Sequence, residues 1–410
     1  MTERHLLCVS PWWPYPADNG SRLRVFHLLR DLRERGFVIR LVAGVQEDVR
    51  ESVSRGIPSE LRAICPVTVP VPWVWYDPAR RGPGGRFGGW LTSTPRSIAE
   101  TRNPAFAEAV HRQLAFPTDA ILAMEIGADA YLGTLPPGIP VILDQAEFSG
   151  PERAFRSAAG WQERLRRYAT YRKGAAYWSK RLARYDLVTA VSEAEAEAVR
   201  RVAGPSVPIL IVPNGTDVAA YPDRPSTERI PGQLIHPGAM TYGPNRDAVH
   251  WFAEAILPRI AARVPEAHLV VTGRYGSEDI AGLKDDRRIV LTGYLEDPKP
   301  ILRRSMAAVI PLRVGGGTRL KILEAFAAQV PVVSTTIGAT GLAVESGRHL
   351  LVADTEEAFA NGVIRVLTDP ILSAELAANG RERVSERYDW RISGGVLADA
   401  LDRLCARRAD

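Results

Sequence analysis

The stretch Pro311-Leu312-Arg313-Val314-Gly315-Gly316-Gly317-Thr318-Arg319-Leu320-Lys321-Ile322-Leu323-Glu324-Ala325-Phe326 gathers residues that could grip an anion. An apolar strand pattern ends in Gly315, Gly316 and Gly317. Thr318 is then placed to cap a helix carrying Arg319 and Lys321 in its first turn. Cations at the positive end of a helix are unfavourable by roughly 0.3–1 kcal/mol each. A bound diphosphate reverses that sign, since backbone N–H groups, guanidinium and ammonium then converge on one polyanion. Glu324, three residues after Lys321, lies on the same helix face one turn deeper. A plainer reading of the same residues is a Lys321–Glu324 surface pair beside a flexible loop.

A second anion-competent turn lies near the amino terminus. The strand pattern Leu6 to Ser10 runs through Pro11-Trp12-Trp13-Pro14-Tyr15-Pro16 and Asp18-Asn19-Gly20-Ser21 into a helix that Gly36 closes. Gly20 and Ser21 therefore stand at a helix amino terminus, where free N–H groups suit an anion, or form a simple tight turn with a Ser cap. Two carboxylates, Asp144 and Glu147, follow the strand pattern Val141 to Leu143 and could orient a hydroxyl or cap the next helix. None of the seven histidines has a sequence partner that would mark it as catalytic, and no Asp-x-Asp pair is present to hold a divalent ion.

Short apolar runs alternating with helical patterns must position these residues, which is the signature of parallel sheets with helical crossovers. Expected strands in the first half are Leu6 to Ser10, Val38 to Ala43, Ala120 to Met124, Val141 to Leu143 and Leu187 to Val191. Those in the second half are Leu234 to His236, Leu269 to Thr272, Ile289 to Thr292, Ala308 to Pro311, Val330 to Ser334 and Leu350 to Val352. A chain of 410 residues exceeds one core and predicts two domains, with a hinge in the proline-rich Gly204 to Pro231. Val67 to Pro95, crowded with Pro, Gly and Trp, is expected to be a surface loop.

The 46% apolar and 24% charged fractions exclude a disordered chain, and no uncharged apolar run of membrane-spanning length occurs. Cys8, Cys65 and Cys405 lack metal spacing and read as reduced thiols. The net charge of +5 does not argue for nucleic acid, and neither a nucleic-acid-binding fold nor a groove-reading helix is visible. The charge is concentrated, however, in residues 152–185, a basic stretch with several aromatics. That stretch could be a solvated helix face or a surface for anionic lipid.

The glycine-rich stretch resembles the donor-binding motif of glycosyltransferase family 4, in which two glutamates spaced around a glycine-rich turn grip sugar and ribose hydroxyls. Glu324 matches the second glutamate, and Pro331-Val332-Val333-Ser334 with Gly338 and Gly341 matches the next strand and turn. Ala190-Val191-Ser192-Glu193, Val212-Pro213-Asn214-Gly215, His236-Pro237-Gly238-Ala239-Met240, Thr272-Gly273, Leu291-Thr292-Gly293-Tyr294 and Tyr388-Asp389-Trp390 follow in the family's order, so the resemblance covers nearly the whole chain. It departs where the first glutamate falls on Gly316, and where the expected Arg and Lys fall on Ala239 and Asn245. A Gly-Gly-Gly-Thr-Arg-x-Lys subgroup is similar. A family His near Asp144 is also absent.

The resemblance implies an α/β chain of the GT-B type, two doubly wound Rossmann-like domains facing across a cleft. Residues 1–212 plus 388–410 would form the acceptor-side domain and 213–387 the donor domain. It implies retaining, metal-independent transfer of a sugar from a nucleotide-diphosphate donor, UDP or GDP, to a hydroxyl of a glycan, lipid-linked or small-molecule acceptor, with no resident cofactor. Arg319, Lys321, Glu324 and Asp144 would be catalytic. Gly20, Ser21, Gly238, Met240, Asn245, Gly273, Arg274, Tyr294, Gly315, Gly316, Gly317, Thr318 and Leu320 would bind the donor, and Glu147 would face the acceptor. The expected location is cytoplasmic, at most peripheral to the inner membrane face. A dinucleotide dehydrogenase is excluded by the first turn, which lacks Gly-x-Gly-x-x-Gly. A hydrolase would have no use for a diphosphate cradle. A non-catalytic nucleotide-sugar-binding subunit is the alternative.

Overall fold

The computed structural model describes residues 3–73, 93–99, 101–134, 136–156, 158–222 and 229–407. The chain divides into two units, Met1–Pro213 with Ser393–Asp410, and Asn214–Ile392. The return lies beyond the expected residue 388 because the segment Tyr388 to Trp390 is hydrogen-bonded into the second unit. Thr216 N–H donates to the Tyr388 carbonyl at 2.8 Å and Trp390 N–H to the Thr216 carbonyl at 3.2 Å.

In the first unit seven parallel strands, β1 (Arg4–Ser10), β2 (Phe37–Val45), β3 (Val67–Pro72), β4 (Ala120–Met124), β5 (Val141–Asp144), β6 (Leu187–Ala190) and β7 (Ile209–Ile211), take the order β3-β2-β1-β4-β5-β6-β7. Leu6 to Val9 are fully buried, as a strand covered on both faces requires. Two strands depart from expectation. β3 begins the segment expected to be loop. It is an edge strand, where Pro70 and Pro72 are tolerated because one side of the strand needs no ladder partner. Residues 74–92 of that segment lie outside the described residues. β7, the opposite edge, lies within the expected hinge.

Helix α1 (Gly20–Glu34) follows β1. Its cap is Asn19, whose side chain accepts from Arg22 N–H, rather than Ser21. Val25, Leu28, Leu29 and Leu32 bury its inner face. Helices α2 (Ser149–Arg156), α3 (Trp161–Leu182) and α4 (Glu193–Ala203) follow β5 and β6.

The second unit holds β8 (Gln233–Pro237), β9 (His268–Thr272), β10 (Ile289–Gly293), β11 (Ala307–Ile310), β12 (Val332–Ser334) and β13 (Leu351–Val352), again parallel, in the order β10-β9-β8-β11-β12-β13. Successive residues of one strand serve opposite faces. Leu234 packs with Val249, Phe252 and Phe359 on one side, and Ile235 with Ile322 and Phe326 on the other. Helices α5 (Gly243–Trp251), α6 (Leu320–Ala327) and α7 (Pro370–Arg387) cover the sheet, and α8 (Trp390–Ala406) ends the described chain. Gly380 of α7 is where α6 comes close: a Cβ there would stand 2.6 Å from the ring of Phe326.

One buried ion pair ties α1 to the first sheet. Arg24 Nε and Nη2 each donate to Asp144 at 2.7 Å with both side chains fully buried, and Arg24 Nη1 reaches the Pro213 carbonyl at 3.3 Å. Arg24→Met leaves a buried carboxylate without its counter-ion and is expected to destabilise this unit by about 3–5 kcal/mol. Denaturant unfolding of Arg24→Met checks this, and the double variant Arg24→Met with Asp144→Leu should regain most of the loss.

Candidate functional site

Both sheets change winding direction between two neighbouring strands, β8 and β11 in the second unit and β1 and β4 in the first. Ligands of doubly wound sheets collect beyond the carboxyl ends of the strands at such points. The candidate residues of each unit gather there.

In the second unit, Gly238 follows β8 with φ of +131°, and a Cβ there would lie 2.7 Å from Asn245 Nδ2 and 3.0 Å from Lys321 Nζ. Only glycine fits that approach. Lys321, in the first turn of α6, donates to Asn245 Oδ1 at 2.9 Å and meets His236 Nε2 at 3.2 Å. His236 Nδ1 is 2.9 Å from the Val309 carbonyl, which can only accept. The imidazole is therefore protonated at Nδ1 and offers Nε2 as an acceptor. Burial, then the charge of Lys321, holds His236 well below its usual range, so it stays neutral. Burial, then the neighbouring Arg319, lowers Lys321 to about 7, against an upward pull from Glu324. Glu324 is partly buried and raised by burial, opposed by Lys321 and Lys299.

The glycine turn is built around Arg319. Gly315 (φ +124°) and Gly317 (φ +77°) occupy the left-handed region, a Gly315 Cβ would meet Arg319 Nη2 at 2.6 Å, and Arg319 Nη1 donates to the Gly316 carbonyl at 2.6 Å. Thr318 was expected to cap the helix. It does not, because α6 begins at Leu320 with Arg319 in the cap position and no side-chain cap bond. The Thr318 hydroxyl is instead buried with no hydrogen-bond partner among the described residues, an arrangement a ligand oxygen would relieve.

The turns after β8, β9 and β10 lie side by side. Gly238 N–H donates to the Thr272 carbonyl, Met240 N–H to the Arg274 carbonyl and Gly273 N–H to the Gly293 carbonyl. Gly273 has φ of +105°, and a Cβ would stand 2.6 Å from Ala239 N. Beside them the Arg274 guanidinium lies 4.8 Å from the ring centre of Tyr294, which is 48% exposed. Three of the expected donor residues are set into the unit itself. The Met240 side chain is fully buried in the core, Leu320 packs partly buried against the core, and Asn245 is buried and occupied in positioning Lys321.

In the first unit the expected catalytic Asp144 is not available. Arg24 grips both its oxygens, and Thr189 Oγ1 donates to one of them at 2.6 Å. The carboxylate that does stand at the switch point is Glu125, which sequence reasoning missed. It follows β4 with φ of +60°, a conformation that is strained for a residue with a Cβ. Trp12 Nε1 donates to it at 2.7 Å, and the Ser21 side chain lies near enough to favour its charged form. Burial raises its pKa, with smaller upward pushes from Glu147 and Asp144 and opposing pulls from Ser21 and Trp12. Gly20 opens α1 beside it and is exposed. The available signal was the position of Glu125 directly after the strand Ala120 to Met124. Among the described residues no group of three or more His, Cys, Asp or Glu is placed to hold a metal ion.

Paired doubly wound units with a cationic, glycine-lined cradle define a GT-B type of protein. Residues 19–215 match the family described as "Glycosyl transferase 4-like domain", and residues 231–369 match "Glycosyl transferases group 1". Together the two matches span most of the chain, which carries both of these glycosyl transferase family domains in succession. Glycogen synthase of Mycobacterium tuberculosis is 30% identical over 214 residues, 49% of this chain and 50% of that protein. Phosphatidyl-myo-inositol mannosyltransferase of Mycolicibacterium smegmatis is 27% identical over 190 residues, 44% of this chain and 48% of its own. The chain thus matches these curated relatives over about half their length. Sucrose-phosphate synthase of Thermosynechococcus elongatus shares the fold at a TM-score of 0.70 and 18% identity, covering 99% of this chain and 100% of that one. HepE of Anabaena in complex with UDP does so at 0.64 and 16%, covering 98% and 100%.

A Lys321 that titrates near 7 must be protonated to hold a diphosphate. Affinity for a diphosphate should therefore be flat below about pH 7 and fall toward tenfold per pH unit above it, until the pKa of the bound state is reached. Isothermal titration from about pH 6 to pH 9 checks this. Lys321→Met should bind more weakly and lose the break near 7.

Proposed function

We propose that the protein transfers a sugar from a nucleotide-diphosphate donor to an acceptor hydroxyl, with retention of anomeric configuration and without a metal ion. The observation that carries this reading is Lys321, held between neutral His236 and Asn245 at the β8/β11 switch point beside the glycine turn. A partly buried ammonium that neither neighbour neutralises is unfavourable alone and favourable against a diphosphate. Arg319 and the turn N–H groups would share that charge, and Glu324 would accept from ribose hydroxyls. Gly273, Arg274 and Tyr294 would flank the base. Stabilising the leaving diphosphate in this cradle lowers the barrier to breaking the glycosidic bond, and the departing phosphate oxygen would take the acceptor's proton. HepE, a structural relative with UDP or UDP-glucose bound, favours a uridine donor.

Glu125 and Glu147 would orient the acceptor in the first unit, replacing the expected Asp144. A donor-binding subunit without turnover is the second reading, favoured by Gly316 standing where the family's first glutamate falls and by Asp144 being sequestered. Among the described residues no helix is long and apolar enough to cross a membrane.

A thermal-shift screen with UDP, GDP, ADP and TDP, without metal and then with magnesium, tests the donor assignment. One diphosphate should stabilise the protein equally in both conditions, by about 2.7 kcal/mol at a hundredfold excess over Kd, and Glu324→Ala should reduce the shift. No shift with any of the four would remove the donor reading. Glu125→Gln separates the two functional readings. For an enzyme it should lower kcat/KM at least about tenfold, roughly 1.4 kcal/mol of transition-state stabilisation, while leaving the diphosphate shift intact.

A further inference from the structure

The basic residues 152–185 lie mostly on α2 and α3, and part of their charge is offset by ion pairs within the unit. Arg156 pairs with Glu152 at 2.6 Å, Arg167 and Arg166 with Glu163 at 2.6 and 3.7 Å, and Arg153 with Glu195 of α4 at 4.0 Å. Arg181 and Arg184 both reach the buried Asp129. The exposed surface is therefore less basic than its sequence and more apolar.

Trp161, Leu165 and Tyr168 are 75%, 60% and 41% exposed. At about 100° per residue their spacing of four and three places them within a roughly 60° arc of α3, and Arg172, also exposed, falls within the same arc one turn on. The carboxyl-terminal end of the helix is anchored, since Trp178 and Leu182 are buried in the core of the first unit. Phe155 of α2 lies edge-on to Tyr168 at 5.4 Å, and Phe155, Trp161, Arg164, Leu165 and Tyr168 line an open cavity of about 380 Å³. Arg164 and Arg172 have no carboxylate within ion-pairing distance among the described residues. The exposed first half of the helix thus presents an apolar ridge flanked by guanidinium groups that lack a carboxylate partner among the described residues.

We propose that this ridge docks on an anionic lipid surface, with Trp161, Leu165 and Tyr168 entering the headgroup–acyl boundary and Arg164 and Arg172 meeting lipid phosphates. Tryptophan and tyrosine suit that boundary because one end of each ring system is apolar and the other polar. Arginine can extend its charged head to phosphate while its stem lies along the ridge. A second copy of the chain fits less well, because two-fold pairing of this arc would set Arg164 and Arg172 against their own like charges. The docking does not depend on the donor reading, and its test uses no nucleotide.

The test is flotation of the full-length protein with phosphatidylcholine vesicles and with vesicles that also contain phosphatidylglycerol. The comparison set is wild type, Trp161→Ser with Leu165→Ser, and Arg164→Gln with Arg172→Gln. Because all four positions are exposed, thermal unfolding should be unchanged in both variants, which separates loss of docking from loss of fold. Wild type should float with the anionic vesicles and at most weakly with the neutral ones. The apolar variant should lose more than about tenfold in partitioning. The arginine variant should lose the preference for anionic lipid. Absence of wild-type flotation, or equal flotation of the apolar variant, overturns the proposal. So does a concentration-dependent dimer that the apolar variant abolishes in the absence of vesicle binding, an outcome that would assign the ridge to a second copy.

Discussion

The second unit is organised around one partly buried ammonium. Lys321 reaches from α6 to the β8 side, where its hydrogen-bond partners are the acceptor nitrogen of His236 and the amide oxygen of Asn245. Each partner is itself fixed, His236 by the Val309 carbonyl on β11 and Asn245 by the Ala239 carbonyl in the turn after β8. Gly238 follows from the same constraint, because any side chain there would fill the space that Nζ and Nδ2 occupy. The pairing of β8 with β11 sets the distance across which the lysine works. Changing one member misplaces the others, so these residues form a single positioning device.

The first unit repeats the winding order, and its switch point is organised by a carboxylate rather than a cation. Trp12, from the β1–α1 connection, and Ser21, in the first turn of α1, converge on Glu125 at the end of β4. The backbone there is held at positive φ, as is Gln145 after β5 with φ of +54°. Neither residue is a glycine. Two strained side-chain-bearing positions at adjacent strand ends are tolerated because the surrounding strands and the Thr189 side chain, which accepts from Gln145 N–H, hold the backbone in place.

The alternation of apolar runs made the sheets legible, since buried parallel strands leave continuous Val, Leu and Ile patterns of the kind seen in β1, β4 and β9. β3 escaped because Pro70 and Pro72 argue against a strand unless its edge position is known. The glycine turn was legible because three consecutive glycines have few other uses. The roles of the carboxylates were not. Asp144 and Glu125 both end a strand, and what separates them is Arg24, which lies 120 positions from Asp144 and selects it for burial. Likewise the start of α6 and the inward turn of Met240 depend on packing that no local pattern encodes. The arginine-rich stretch is less basic in the folded unit than in the sequence, because Asp129 and Glu195 come to it from outside the segment.

Three glycines in a row are the most disordered loop a chain can contain when unfolded, and a ligand that had to organise such a loop would bind weakly. Here the ordering is already done. Arg319, only 8% exposed, closes the turn on the Gly316 carbonyl from within the same segment. The entropy of those glycines is therefore lost once, when the unit folds, and does not recur with each ligand. A ligand at this turn would meet a preset mould, and its affinity would be decoupled from the flexibility the composition suggests.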